Sequence, residues 1–231
     1  MRAPRVSPRP DFSVDLSAQV PRHERFDYWQ DVICDVFVKL DARRVGPADE
    51  FTGSLRSVRA GEVRLSRMRV SGHEVIRSTG GIARSDAHDH LINMPLDGRC
   101  DLLVQDGRTT MLNPGDFALS DTARPYRLRF RDPFDMFVLH VPDQLLAALV
   151  PGMRDLTATA VRADSPTGSL LRQLLTRIDT RAGSELAARN GFKDASHFTR
   201  VFTKRYGQSP RAHRRSGCSS PCAAIENRDG P

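Results

Sequence analysis

Between residues 51 and 141 apolar and polar positions alternate in short runs, the period-two pattern of strands with one buried face. The runs fall at 51–59, 62–70, 73–78, 90–96, 99–105, 108–112, 116–120, 125–131 and 134–141, which predicts nine strands. Turn chemistry separates them. Asp106-Gly107, between LLVQ and RTTML, reads as a two-residue hairpin turn. Asn113-Pro114-Gly115-Asp116 and Asp97-Gly98 read as two more turns. In one run Tyr126, Leu128 and Phe130 alternate with Arg127, Arg129 and Arg131, so the apolar set should face inward and the arginines water. Many short strands with regular turns predict a barrel or a double-sheet sandwich of jelly-roll type.

The period changes on either side of this block. Over 22–40, Phe26, Trp29, Ile33, Val36, Phe37 and Leu40 recur at helical spacing, predicting a helix that covers a sheet edge, with Trp29 in the core. A short helix is expected over 142–149, directly after the last strand. Another is expected over 166–178, where Leu171, Leu174, Leu175 and Ile178 form a narrow stripe suited to packing on the barrel or to a dimer seam. Residues 1–10 are rich in Pro and Arg and read as disordered.

Residues 184–215 read as two short helices, a tight turn between them, and the start of a third. Ser184 is placed to cap the first helix and Asn190-Gly191 to end it; Asp194 caps the second, Gly207 ends it, and Ser209-Pro210 opens the third. On the second helix Phe198, Val201, Phe202 and Tyr206 share one side, with Ser196, Arg200 and Thr203 opposite. The polar side suits a major groove.

Charge sharpens this picture. The chain carries 35 Lys and Arg against 28 Asp and Glu, a net +7. Residues 181–215 hold nine of the cations and two of the acids, so the surplus sits on the candidate DNA-binding segment, as a phosphate-contacting patch requires.

The words LAARNGFKDASHFTRVFTKRYGQSPRAHRR resemble the C-terminal helix-turn-helix of the AraC family of bacterial transcription regulators. Gly191-Phe192, the run from Asp194 to Phe198, Phe202, Tyr206-Gly207 and Ser209-Pro210 carry the resemblance. It implies base reading by Ala195, Ser196 and Arg200. Lys193, His197, Lys204, Arg205 and Arg211 are placed to hold the DNA backbone. Family members carry two such units joined by a long helix. Only the second is readable here, with no room between Ile178 and Ser184 for the first, so an internal deletion is expected. Residues 10–150 are similar, through the words around Trp29 and DLLVQDGRTTMLNPGDFALSDTARPYRLRF with FVLHVP, to the cupin-like effector domain of one AraC subgroup.

Together these imply an α+β protein. A cupin-like β-barrel or jelly-roll domain with flanking helices, residues 11–180, senses a small molecule and dimerises. A small all-α helix-turn-helix unit, 184–215, binds double-stranded DNA, and 216–231 is a disordered tail. The expected partners are DNA, an unidentified effector and a second copy of the chain, in the cytoplasm. A rival reading is a ligand-binding, dimerising relic that binds DNA poorly.

Enzyme chemistry is not expected. No nucleophile–base–acid grouping, phosphate loop or pair of catalytic carboxylates is apparent. A metal-dependent cupin enzyme is the third reading, resting on His88, His90 and His140. The carboxylate such a site needs after the pair is replaced by Asn93, Met94 and Pro95, so neither metal nor cofactor is expected. His88 and His90 read as exposed loop residues, and His140 as a barrel-lining residue within reach of an effector. Cys34 reads as a small core residue, and Cys218 and Cys222 as tail residues without a metal role. There is no apolar run of 18 residues, so no membrane span is expected.

Overall fold

The computed structural model describes residues 12–45, 51–85, 88–150 and 152–189. Two compact units divide the chain, residues 1–191 and 192–231, and the described residues all belong to the first.

Eleven strands and five α-helices make up the described part. They are β1 (Phe12–Asp15), α1 (Leu16–Gln19), α2 (Arg25–Val36), β2 (Asp41–Arg44), β3 (Gly53–Ala60), β4 (Val63–Val70), β5 (His73–Arg77), α3 (Thr79–Ala83), β6 (Asp89–Asp97), β7 (Cys100–Gln105), β8 (Arg108–Leu112), β9 (Ala118–Asp121), β10 (Tyr126–Arg129), β11 (Phe134–Pro142), α4 (Asp143–Leu149) and α5 (Pro166–Arg189). Two sheets form, in the orders β1-β3-β4-β11-β6-β9 and β2-β5-β10-β7-β8. Every strand pair within them is antiparallel. The inner faces of both sheets contribute to one apolar core, so the architecture is the expected double-sheet jelly roll.

The nine expected strands all form, within a few residues of their expected ends. Asp106 and Gly107 both take positive φ, 53° and 74°, the backbone a type I′ hairpin turn demands. Gly98 also has positive φ (69°), and a Cβ there would stand 2.7 Å from the carbonyl oxygen of Pro133, so only glycine fits. Tyr126 and Leu128 are buried while Arg127 and Arg129 are exposed, as their alternation requires.

β11 is buried on both faces. Met136 and Val138 enter the core between the sheets, whereas Phe137 and Leu139 face outward into a second apolar cluster. Its text is accordingly a nearly unbroken apolar run. That outer cluster is completed by α5, which sets Leu171, Leu175 and Ile178 against Val58, Leu65, Met94 and Phe137. The structure thus divides the leucine stripe. Leu175 is fully buried, while Leu174 and Leu170, on the flank of the stripe, remain 51% and 69% exposed.

Polar contacts fasten the same helix. Arg67 donates to both carboxylate oxygens of Asp135, at 3.0 and 2.7 Å, and to Asp179 of α5 at 2.9 Å. Arg56 also donates to Asp179, and Arg69 to Asp135 at 2.7 Å. The hydrogen bonds to Asp135, then those to Asp179, hold the Arg67 guanidinium more firmly protonated than usual. Burial pushes the Asp135 carboxyl up, but Arg67 and Arg69 outweigh it and leave the carboxyl below its ordinary value.

Two helical expectations are corrected. The helix expected over 22–40 is a 3-10 turn at Arg22–Glu24 followed by α2, which ends at Val36. Its buried face, with Trp29 at 0% exposure, closes one side of the core as expected. The break expected between residues 178 and 184 does not exist, because α5 runs without interruption from Pro166 to Arg189. Ser184 is therefore inside a helix rather than capping one. Gly183 is the weakest helix former in the stretch, and a single glycine costs about 1 kcal/mol without ending a helix.

Candidate functional site

The core between the sheets is not filled throughout. A cavity of about 40 Å³ lies between α2 and the two sheets. Phe37, Phe130, Phe134, Met136 and Val138 form much of its apolar wall. Space of this size holds a water or two; a larger guest needs the wall to open.

Three polar side chains also face the cavity: His73, Asn93 and Tyr126. Strand alternation explains each. On β5, His73, Val75 and Arg77 point to one side; on β10, Tyr126 and Leu128 do so. Asn93 is satisfied, donating to Leu91 O at 3.3 Å and to Ser120 Oγ at 3.0 Å. His73 is also satisfied. The Trp29 indole donates to its Nε2 at 3.3 Å, which places the ring hydrogen on Nδ1, 2.9 Å from Ser71 O. Burial pulls the imidazole pKa down to about 4, so His73 is neutral at pH 7. Phe134 stacks on it at 5.6 Å between centroids.

Tyr126 and its cross-strand neighbour Arg77 differ. The two are register partners on β10 and β5. Arg77 has no solvent exposure. Its Nε donates to Thr122 O at 3.0 Å and its Nη1 to Lys39 O at 2.7 Å. The remaining nitrogen, Nη2, is buried with no hydrogen-bond partner, and so is the Tyr126 hydroxyl. No carboxylate among the described residues pairs with this guanidinium. Burial holds it below its ordinary pKa, and the groups that act on it electrically are Tyr126, Cys34 and Arg84. Burial raises both the Tyr126 phenol and the Cys34 thiol, so both stay protonated at neutral pH and supply no negative charge. Arg84 adds a like charge. An unpaired cation removed from water is an expensive feature of a core.

His140 lies on the cavity side of β11, two residues beyond Val138, but at the end of the strand rather than in the cavity wall. Its Nε2 meets Asp89 Oδ2 at 2.8 Å. His88 is exposed, as expected, but His90 is not a loop residue. It is 3% exposed on β6, with Nε2 2.9 Å from Asp143 Oδ1. The strand begins one residue earlier than expected, and α4 brings the aspartate that holds the ring. Among the described residues no group of three or more His, Cys, Asp or Glu converges as a metal site would require.

Ala195, Ser196 and Arg200, with Lys193, His197, Lys204, Arg205 and Arg211, lie outside the described residues. Arg77, by contrast, was legible but overlooked. In the strand text HEVIR it stands at an inward position of the same alternation that was used correctly for Tyr126.

The described part is a jelly roll with a small, mostly apolar cavity in its core and a long helix packed on its outer face. Residues 29–195 match the family of AraC-binding-like domains, and the chain belongs to that family, AraC-type regulators with an N-terminal effector-binding domain. A protein of Bacillus sp. (strain OxB-1), known as an uncharacterized protein in nit 5'region, is 39% identical over 140 residues, 61% of this chain and 54% of that one. The transcriptional activator NphR of a Rhodococcus species is 27% identical over 152 residues, 65% of this chain and 45% of that one. The chain thus spans about half the length of these relatives. The crystal structure of the AraC-like transcriptional activator CuxR shares the fold, with a TM-score of 0.64 and 20% identity over 75% of this chain and 61% of that one. Among the described residues no helix is long and apolar enough to cross a membrane.

Proposed function

We propose that the protein is a sequence-specific, DNA-binding transcription regulator that senses a small molecule through its jelly-roll domain. The family match over residues 29–195 carries this reading. The surplus of positive charge on residues 181–215 supports it, since nine cations face only two acids there. In this reading Arg200 and Ser196 contact base edges and Ala195 an apolar group such as a thymine methyl. Lys193, His197, Lys204, Arg205 and Arg211 hold phosphates. The protein acts as a homodimer, which supplies two reading helices, and works in the cytoplasm, on the nucleoid. It is not an enzyme and needs no cofactor.

Fluorescence-anisotropy titration of the full chain against promoter fragments and random duplex, at two salt concentrations, tests this. Tight, sequence-dependent binding that weakens steeply with salt is expected. Arg200→Ala should cost about 1–3 kcal/mol of discrimination between specific and random DNA. An equal loss on both sequences would remove Arg200 from base reading.

One observation favours a second reading. Residues 184–189, expected to form the first helix of the DNA-binding unit, are the end of the barrel-packed α5. A chain built this way could sense and dimerise while binding DNA weakly and without regard to sequence. The same titration separates the two.

A further inference from the structure

The effector proposed above is unspecified, and the cavity carries information about it. We infer that the ligand is a small carboxylic acid with an apolar body, its carboxylate received by the Tyr126 hydroxyl and, behind that part of the wall, by Nη2 of its register partner Arg77, its body entering among Phe130, Phe134, Met136 and Val138 as the wall opens. This rests on the reading of the jelly roll as an effector domain.

Four observations converge. Arg77, beside the cavity wall rather than in it, is fully buried and carries one donor without a partner. Tyr126, its register partner on the neighbouring strand, is 4% exposed, lines the cavity and carries a second such donor. No described acidic side chain neutralises the guanidinium, and the groups around it are a phenol, a thiol and another guanidinium. The remaining wall is apolar and aromatic apart from His73 and Asn93, whose hydrogen bonds are already made. A buried cation with two idle donors is complementary to one negative charge spread over two oxygens, which is a carboxylate. A phosphate fits poorly, because its larger charge and three oxygens call for more donors than two. A neutral ligand would leave the cation uncompensated.

The structure also supplies the probe. Trp29 is the single tryptophan, and its indole is hydrogen-bonded to His73, a cavity-wall residue. Its fluorescence reports on events in the cavity.

The full chain is titrated with three matched pairs: benzoate and benzamide, phenylacetate and phenylacetamide, hexanoate and hexanamide. Trp29 fluorescence and Tm are read together. At least one acid should change the fluorescence and raise Tm while its amide does neither. Tyr126→Phe should fold with an unchanged or higher Tm, because it deletes a buried donor that lacks a partner, and should bind that acid about tenfold more weakly. Arg77→Met should abolish the preference for the acid over its amide. Because Arg77 also holds the carbonyls of Lys39 and Thr122, that variant can lose stability, and Tyr126→Phe then decides the matter.

Amides that bind as well as their acids would overturn the inference and leave effector sensing intact. Acids that bind Tyr126→Phe as well as wild type, or no response to any of the three acids, would also overturn it. Failure of the regulator reading appears elsewhere, as indifference to DNA sequence in the anisotropy titration.

Discussion

Arginine is used in two opposite ways on the two sides of this jelly roll. On the outer face of the six-stranded sheet, Arg56, Arg67 and Arg69 are all matched by Asp135 and Asp179, and the result is a clamp that holds α5 over Phe137 and Leu65. On the inner side, Arg77 is more deeply buried than any of these and has no carboxylate. Matched charge at half-buried positions stabilises the fold. In the core, Arg77 ties down the carbonyls of Thr122 and Lys39 but leaves its charge without a counter-charge and Nη2 without a partner, an arrangement that costs stability. The contrast separates a face whose charges are matched from an interior whose charge is not.

Four experiments break or sharpen this division. The largest effect is expected on the outer side, at Leu175, which is fully buried between α5 and the sheet. Leu175→Ala should lower unfolding free energy by about 3–4 kcal/mol in urea denaturation. Leu174→Ala, one residue away on the exposed side, should change it by less than about 0.5 kcal/mol.

The second effect is a pH dependence that distinguishes the two sides. His73 titrates near 4 when folded and near its ordinary value of 6.5 when unfolded. The unfolded chain therefore binds the extra proton first, and stability falls as pH drops from about 6.5 to about 4, by roughly 3 kcal/mol. His73→Gln should flatten the curve in that window. Asp135 acts lower. Its folded pKa lies below the unfolded value, so the stability it contributes is present above about pH 4 and is lost as pH falls through the folded value. Asp135→Asn should therefore differ from wild type at neutral pH, with the difference fading only in stronger acid.

A smaller loss is expected at the clamp itself. Asp179→Ala leaves Arg56 and Arg67 each short of a partner, but both retain partial contact with water. The cost should be about 2 kcal/mol by urea denaturation, below that of a fully buried pair. A loss near zero would make the clamp ornamental and leave α5 held by its leucines alone.

Much of the fold could be read from the sequence. Period-two alternation located nine of the eleven described strands, and Asp106-Gly107 fixed a hairpin; β1, FSVD, went unread although Val14 is buried between exposed Ser13 and Asp15. β2, whose text is DARR, was not legible: three of its four residues are exposed, so it lacks an apolar face to reveal it. The continuity of α5 was missed because Ser184 was read as the cap of a new helix, when the surrounding residues favour helix strongly enough to carry both it and Gly183. The candidate site was legible only in outline. The inward direction of Tyr126 followed from alternation. That its hydroxyl and Arg77 Nη2 lack a partner depends on which loops and helix ends surround them, namely Lys39, Thr122 and Cys34. No local pattern encodes that enclosure. His90 was misassigned for the same reason, since the aspartate that holds it comes from α4, 53 residues on.

The most direct test of the division is the thermal unfolding of Tyr126→Phe in the absence of any ligand. If the interior polar groups serve binding rather than stability, the variant unfolds at the wild-type temperature or above it, because a buried hydroxyl without a partner has been replaced by an apolar edge of the same shape. A fall as large as that of Asp179→Ala would show that the hydroxyl is part of the fold's own bonding, and the contrast between the two sides would not stand.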